Sequence, residues 1–453
     1  MTTAMSAALR RIQFGNALAA FGNGFTAPFL FIYASHVRDL GDGTAGAVLA
    51  VFAVVALVVL PFTGRVIDGR GPMPVAFAGS ALGTVGALGF GISESAPSVL
   101  ASSALMGAGV AILQPALATM VVSCSTAVTR SHAFATQFFL NNLGLGVGGL
   151  LGGLMVDEHR PGTFTLLFVI EAAMFVVLAA VLATVRLPQL REAGRDLTQS
   201  AADEREAPAE SWSVLLRDRS MVLLCVLGFV LFFACYGQFE SGLSAYAVEV
   251  TRISTSTLGI ALAVNTGVIV LAQYVVLRLV ERRRRSRVVA LVGVIWAVAW
   301  VAAGASGLVH GTQAIATALL ITTYALFGVG ETMLSPTVAP LVADLAPGRL
   351  VGQYNSAFAL VKQLALAAGP AFGGLLAAMG AYGVYIVMLV GCSFGVSLLA
   401  LCLGRRLTAA QDRPYRSVVV AGGSGAPRRP AEAADEAVTL ETAPMDRANG
   451  AAV

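Results

Sequence analysis

Residues 46–66 read GAVLAVFAVVALVVLPFTGRV, and no charged side chain interrupts them before Arg65. Crossing a bilayer as a helix takes about 20 apolar residues, because only a helix or a closed barrel satisfies every backbone N–H and C=O where water is absent. A helix packed in a soluble core would show a polar face every 3.6 residues, and this stretch is apolar all round. Eleven more windows of the same kind follow or precede it: 12–36, 73–93, 97–121, 134–156, 163–186, 220–247, 256–280, 288–308, 312–342, 351–378 and 381–404. The chain therefore reads as an all-α membrane protein of twelve transmembrane helices. Its composition agrees, with 57% hydrophobic and only 12% charged residues among 453 and a mean hydropathy of +0.79, where soluble domains carry about 25% charge.

The net charge of +4 points to sidedness rather than to nucleic acid. With the N-terminus placed inside, twenty-five arginines fall on the inner segments and tail, while Arg38, Arg160 and Arg252 alone fall outside. That asymmetry predicts both termini in the cytoplasm of a multi-pass protein of the inner (cytoplasmic) membrane. Arg10 and Arg11 ahead of a long apolar stretch resemble a signal sequence, but the stretch is too long and further spans follow, so it reads as a retained first helix. The run Glu281–Arg287 (ERRRRSR) reads as an anchor on the anionic leaflet. Cys124, Cys225, Cys235, Cys392 and Cys402 form no CxxC pair and read as small membrane hydrophobes.

Two polar stretches divide the chain. Residues 187–218 read as a cytoplasmic linker, in part helical, between a six-helix bundle at 1–186 and a second at 219–404. Residues 405–453 read as a disordered cytoplasmic tail. The two bundles carry a weak internal repeat. Thr44, Gly46, Ala50, Val51, Arg65 and Asp68 match Thr257, Gly259, Ala263, Val264, Arg278 and Glu281 at an offset of 213. Gly107, Gly109, Pro115, Gly148, Gly152 and Gly153 match Gly328, Gly330, Pro336, Gly369, Gly373 and Gly374 at an offset of 221. Two pseudo-symmetric halves about an axis along the membrane normal place a substrate site between them near the midplane.

The turn after span two, Gly64-Arg-Val-Ile-Asp68-Gly-Arg70-Gly71, resembles the loop signature of the major facilitator superfamily. Gly69 stands where that signature has a basic residue, and Pro72 and Met73 replace the basic residues after its last glycine. Span five, Gly144-Leu-Gly-Val-Gly148-Gly149-Leu-Leu-Gly152-Gly153, resembles the antiporter signature of the drug:proton branch, with Gly149 in place of proline. Span eleven carries the fuller form, Gly369-Pro370-Ala-Phe-Gly373-Gly374. The resemblance covers residues 12–404 and implies the major facilitator fold, with these glycines and Pro370 shaping the barrier between inward-open and outward-open states. The family's span-four arginine is Ser103 here. Asp68 and Arg70 read as gate residues, the acid accepting hydrogen bonds from nearby helix N-termini and arginines and stabilising an outward-open state; a plain loop turn is the alternative.

Ionisable side chains within spans cost about 2.5–3.5 kcal/mol on insertion scales, so they are read first as functional. Lys362, the only lysine, falls about eleven residues into span eleven, near mid-membrane at 1.5 Å per residue. Glu331 in span ten reaches a comparable depth, and the two read as a proton-sensitive pair lining the cavity; a permanent structural salt bridge is the plain alternative. Glu240 joins them as a candidate for proton coupling or a solvated group at the cavity mouth. Glu171 in span six reads as a helix-packing hydrogen bond. The polar and aromatic residues Asn23, Gln114, Gln137, Asn141, Gln238, Asn265, Gln273, Tyr324 and Gln363 are expected in the cavity wall.

These features predict a secondary transporter, proton-coupled and exporting drug-like or amphiphilic small molecules by alternating access. The alternatives are transport of a polar metabolite (sugar, amino acid or organic acid) and a transport-inactive sensor or scaffold. No Walker A sequence is present, and His36, His132, His159 and His310 pair with no acid in a catalytic pattern, so no enzyme, cofactor or metal is expected. The expected partners are the substrate, protons and the lipid bilayer, with no nucleic acid and a monomeric state.

Overall fold

The computed structural model describes residues 2–157, 160–187, 212–239, 241–309 and 312–414. Within them, twelve helices are long and apolar enough to cross a membrane: Ala7–Val37, Gly41–Arg70, Pro72–Ile92, Ala96–Ser123, Arg130–Met155, Pro161–Ala183, Arg219–Phe239, Thr257–Val280, Arg285–Leu308, Gln313–Leu345, Val351–Ala378 and Tyr382–Gly404. They are spans one to twelve below. Each overlaps the window expected at its place in the sequence, and no strand occurs among the described residues.

Local chemistry sets the ends. Pro72 and Pro161 open spans three and six, where a missing N–H costs nothing. Ser95 and Ser98 close a capping box at the start of span four. Gly71, at φ 82, turns the chain between spans two and three in a conformation other residues rarely adopt. Span seven is broken: helix Arg219–Ala234 gives way at Cys235 to the short pieces Tyr236–Phe239 and Gly242–Glu249. Span ten is likewise interrupted between Leu334 and Val338.

The repeated glycines hold each half together. A Cβ on Gly148 would overlap the Phe21 carbonyl oxygen, and one on Gly152 would lie 3.2 Å from Phe25 Cα, so span five rests on the backbone of span one. Their equivalents do the same in the second half. A Cβ on Gly369 would meet the Gly237 oxygen at 2.5 Å, and one on Gly373 would meet Gly242 Cα at 3.0 Å, at the break in span seven. Gly153 and Gly374 are open by comparison, with Phe29 at 3.8 Å from the former and nothing within 4 Å of the latter. Close backbone approach through small residues is what drives helix association in lipid.

The expected linker ends in a described helix, Trp212–Arg217, and Trp212 Nε1 donates to the Pro61 carbonyl of span two at 3.2 Å. Linker residues 188–211, and the tail beyond residue 414, lie outside the described residues. The tail's first part departs from the expectation of disorder. Ala409–Asp412 form a helical turn capped by Thr408, and the Asp412 carboxylate accepts the Ser286 backbone N–H at 2.9 Å. A buried carboxylate on the first amides of span nine gains from the helix dipole, which is enough to order a short segment.

Candidate functional site

The two halves meet most firmly at the face where span one begins and span twelve ends, here the terminal face. There the Asp68 carboxylate accepts the backbone N–H groups of Gly352 (2.6 Å) and Gln353 (2.9 Å), the free amides of the first turn of span eleven. Gly64 permits this approach, since a Cβ on it would stand 2.6 Å from Gln353 Cα. Arg70 is exposed and forms no ion pair among the described residues. Asp344, at the end of span ten, bridges Arg130 of span five and Arg285 of span nine. Arg285 also donates to Ser131 Oγ at 3.2 Å and to the Gln411 carbonyl at 3.1 Å. Asn355 Nδ2 reaches Thr119 Oγ1 at 3.4 Å, and Ser335 Oγ donates to the Phe134 carbonyl at 2.9 Å. Among the described residues, the hydrogen bonds and ion pairs that join the two halves lie at this face.

Above this closed floor lies a cavity of about 700 Å³ between the halves. Spans one, four and five line it with Asn16, Asn23, Gln114, Gln137, Phe138, Asn141 and Asn142, and the second half contributes Phe232, Tyr236, Glu331, Ser335, Asn355, Phe358 and Lys362. Among the described residues, Glu331 and Lys362 are the only ionisable ones in the lining besides Tyr236. They share the cavity without forming an ion pair within 4 Å. Glu331 turns instead to span eight, where Asn265 Nδ2 donates to its Oε1 at 3.0 Å, with the Tyr236 hydroxyl beside it. Lys362 Nζ lies 5.4 Å from the centroid of the Phe232 ring, a cation over a π-face. Phe232 stands in turn against Phe358 and Tyr236, at 6.0 and 5.3 Å.

Of the residues expected in the wall, Asn23, Gln114, Gln137 and Asn141 line the cavity. Asn141 Oδ1 accepts from Asn16 Nδ2 at 2.9 Å, tying span five to span one. Gln137 Oε1 is buried and accepts from no protein donor. Five do not line it. Gln238 is fully buried at the span-seven break, donating to the Phe233 carbonyl at 3.0 Å and accepting from the Tyr385 hydroxyl at 3.1 Å; it satisfies groups that the broken helix sets free. Asn265 stands behind Glu331. Gln273 faces span ten, its Nε2 3.5 Å from the Thr332 carbonyl. Tyr324 is buried against Phe239, centroids 5.7 Å apart, and Gln363 is half-buried outside the lining. Glu240 lies outside the described residues, as do His159 and His310. Glu171 is fully buried and accepts from Thr26 Oγ1 at 2.6 Å and Asn23 Nδ2 at 3.4 Å. Among the described residues no cluster of three metal-ligating side chains forms.

Sequence reasoning missed Asp344, Arg285 and Arg130, which sit in or beside loops and resemble the many other interfacial charges. Their only sequence signal is that Asp344 is the sole acid between Glu331 and Asp412.

The model of the Major Facilitator Superfamily matches residues 12–370 and, again, 252–429. The chain belongs to this superfamily. Among curated relatives it is 29% identical over 151 residues to "Multidrug resistance protein 1" of Bacillus subtilis, a match spanning 33% of this chain and only 38% of that protein. It is 22% identical over 422 residues to "Uncharacterized MFS-type transporter YhjO" of the same organism, covering 91% of this chain and 96% of the relative. Among solved structures, the E. coli fucose:proton symporter FucP superposes with a TM-score of 0.71 at 13% identity, over 88% of this chain and 99% of that one. This last likeness shows the fold alone. Membership makes the chain a membrane transporter of small molecules.

Proposed function

We propose that this superfamily member exports amphiphilic, drug-like molecules across the cytoplasmic membrane in exchange for protons, as a monomer with both termini in the cytoplasm. The observation that carries the reading is the pair of opposite charges, Glu331 and Lys362, in one cavity walled by aromatic rings and amides and closed at the terminal face. The arginine asymmetry supports placing that face in the cytoplasm, so the state described is the outward-facing one. The partial match to a multidrug resistance protein supports the substrate class.

The chemistry follows from the wall. Phe138, Phe232 and Phe358 offer area to an apolar body without demanding a shape, while Gln137, Asn141 and Gln114 supply orientable donors and acceptors. A proton reaching Glu331 from the open side removes the negative charge of the pair and leaves Lys362 uncompensated. A cationic or polarisable substrate held by that charge is then released outward. The cavity must shed the proton before it reloads, and that requires the opposite side to open. Asp68 and Asp344 hold the terminal face shut until that exchange.

Everted or reconstituted vesicles loaded with ethidium test this. Wild type should concentrate the dye when a pH gradient is imposed. Glu331→Gln should still equilibrate the dye yet lose at least about tenfold of its gradient-driven accumulation, the value of one proton across one pH unit. Full retention of pH dependence by Glu331→Gln would remove that carboxyl from coupling and sink the mechanism.

A further inference from the structure

We infer that Glu171, with Thr26 and Asn23, forms a second proton-binding site, contributed by the first half of the bundle. This deepens the proposed proton coupling and rests on it only where transport is concerned.

Glu171 has no exposed surface. An ionised carboxylate offers about four lone-pair sites and is costly to bury unpaired. Here only two donors meet it, Thr26 Oγ1 at 2.6 Å and Asn23 Nδ2 at 3.4 Å. A neutral carboxylic acid is satisfied completely by the same two residues. Its hydroxyl donates to Thr26 Oγ1, Thr26 turns its own hydrogen to the Asn23 carbonyl 3.4 Å away, and the acid's carbonyl accepts from Asn23 Nδ2. The geometry thus fits the acid with its proton on.

The surroundings offer no other counter-charge. Span three carries no ionisable residue, and span six has none but Glu171. Span one contributes Arg10 and Arg11 near the terminal face, where Arg11 donates to the Thr184 carbonyl, thirteen residues beyond Glu171. Toward the opposite face, Arg38 donates to the Tyr33 hydroxyl at 2.8 Å, and the Tyr33 ring packs on Phe168, one turn from Glu171; Glu94 lies near that hydroxyl. His36 stands in the same turn as Tyr33. None of these reaches the carboxyl.

The proton must also be exchangeable, and Asn23 provides the route. It lines the cavity while holding Glu171, so one side chain separates the acid from cavity water. Gly22 brings span one against span six at the same level, where a Cβ would lie 3.1 Å from Glu171 Cα. The reaction is simple acid–base exchange: a hydronium ion in the cavity gives its proton to the carboxylate and leaves water, and the reverse occurs when the site opens. Each half then holds one buried acid braced by one asparagine, Asn23 on Glu171 and Asn265 on Glu331.

Infrared titration of the full chain in lipid nanodiscs tests this without any substrate. In the Glu331→Gln background, which removes the cavity carboxyl, the C=O band of a protonated buried carboxyl should be present at neutral pH, disappear on raising the pH, and be missing once Glu171→Gln is added. Glutamine keeps the shape, so that variant should fold. Thr26→Val, which leaves the carboxyl in place, should move the midpoint of the band. A band unaffected by Glu171→Gln, one that never titrates while the protein stays folded, or an unmoved midpoint in Thr26→Val overturns the site. In vesicles, ethidium accumulation by Glu171→Gln should fall about tenfold per pH unit of gradient, one proton's worth; unchanged accumulation removes it from coupling. If the band behaves as expected and wild type moves no ethidium, the exporter reading fails and the proton site stands.

Discussion

The ends of spans two and eight occupy equivalent places in the two halves, yet among the described residues only the first reaches across the terminal face by hydrogen bond. Asp68 in the first loop grips the opening amides of span eleven in the other half. Its repeat counterpart, Glu281, makes no cross-half hydrogen bond among the described residues. The matching closure is made nearby by Asp344 between Arg130 and Arg285, with side-chain exposures of 9, 13 and 4%. The second closure thus sits at the end of span ten rather than at the repeat position of Asp68, and its chemistry differs. One latch is a carboxylate on a helix end, directional and needing no cation. The other is a buried charge cluster, whose members are costly to leave alone.

This contrast ranks the substitutions that should open the terminal face. Asp344→Ala leaves two arginines facing each other without a carboxylate, and loss of a buried partner costs about 3–5 kcal/mol. Spin labels placed on spans five and ten should show the closed population nearly abolished. Asp68→Asn keeps the shape but gives up charge-assisted bonds worth about 1.5–3 kcal/mol each, so distances between spans two and eleven should become bimodal. A single closed distance in that variant would show that Asp344 suffices alone. Trp212→Phe removes one indole N–H bond, about 0.5–1.5 kcal/mol, and should shift the same distribution only slightly. Glu281→Gln should change neither distance set, being within about 0.5 kcal/mol of wild type as surface substitutions usually are. An effect as large as that of Asp68→Asn would restore the symmetry denied here.

The same contrast explains what could be read beforehand. The twelve spans were legible because lipid demands long apolar helices whatever their packing, and Asp68 because its glycine-bounded turn carries a recognisable pattern. Lys362 and Glu331 stood out by the cost of placing charge in hydrocarbon. Facing direction was not legible. Spans apolar on every side give no clue to which way a polar residue turns, so Gln238, Asn265 and Gln273 were expected in a wall that they do not line. Gln238 in particular answers to the break at Cys235, which frees the Phe233 carbonyl and cannot be foreseen from composition. Asp344 and Arg285 escaped notice because interfacial charges are common and only tertiary contact distinguishes a latch from a topology signal.

Lys362 carries the chain's only side-chain amine, and it faces the central cavity. Acylating reagents therefore have a single internal target besides the amino terminus. Under the proposed alternating access, a reagent that cannot permeate the bilayer should find that amine from one compartment while the arginine-rich face is sealed, and from the other once it parts. The protein thus carries its own reporter of which way it faces, with no label to engineer in.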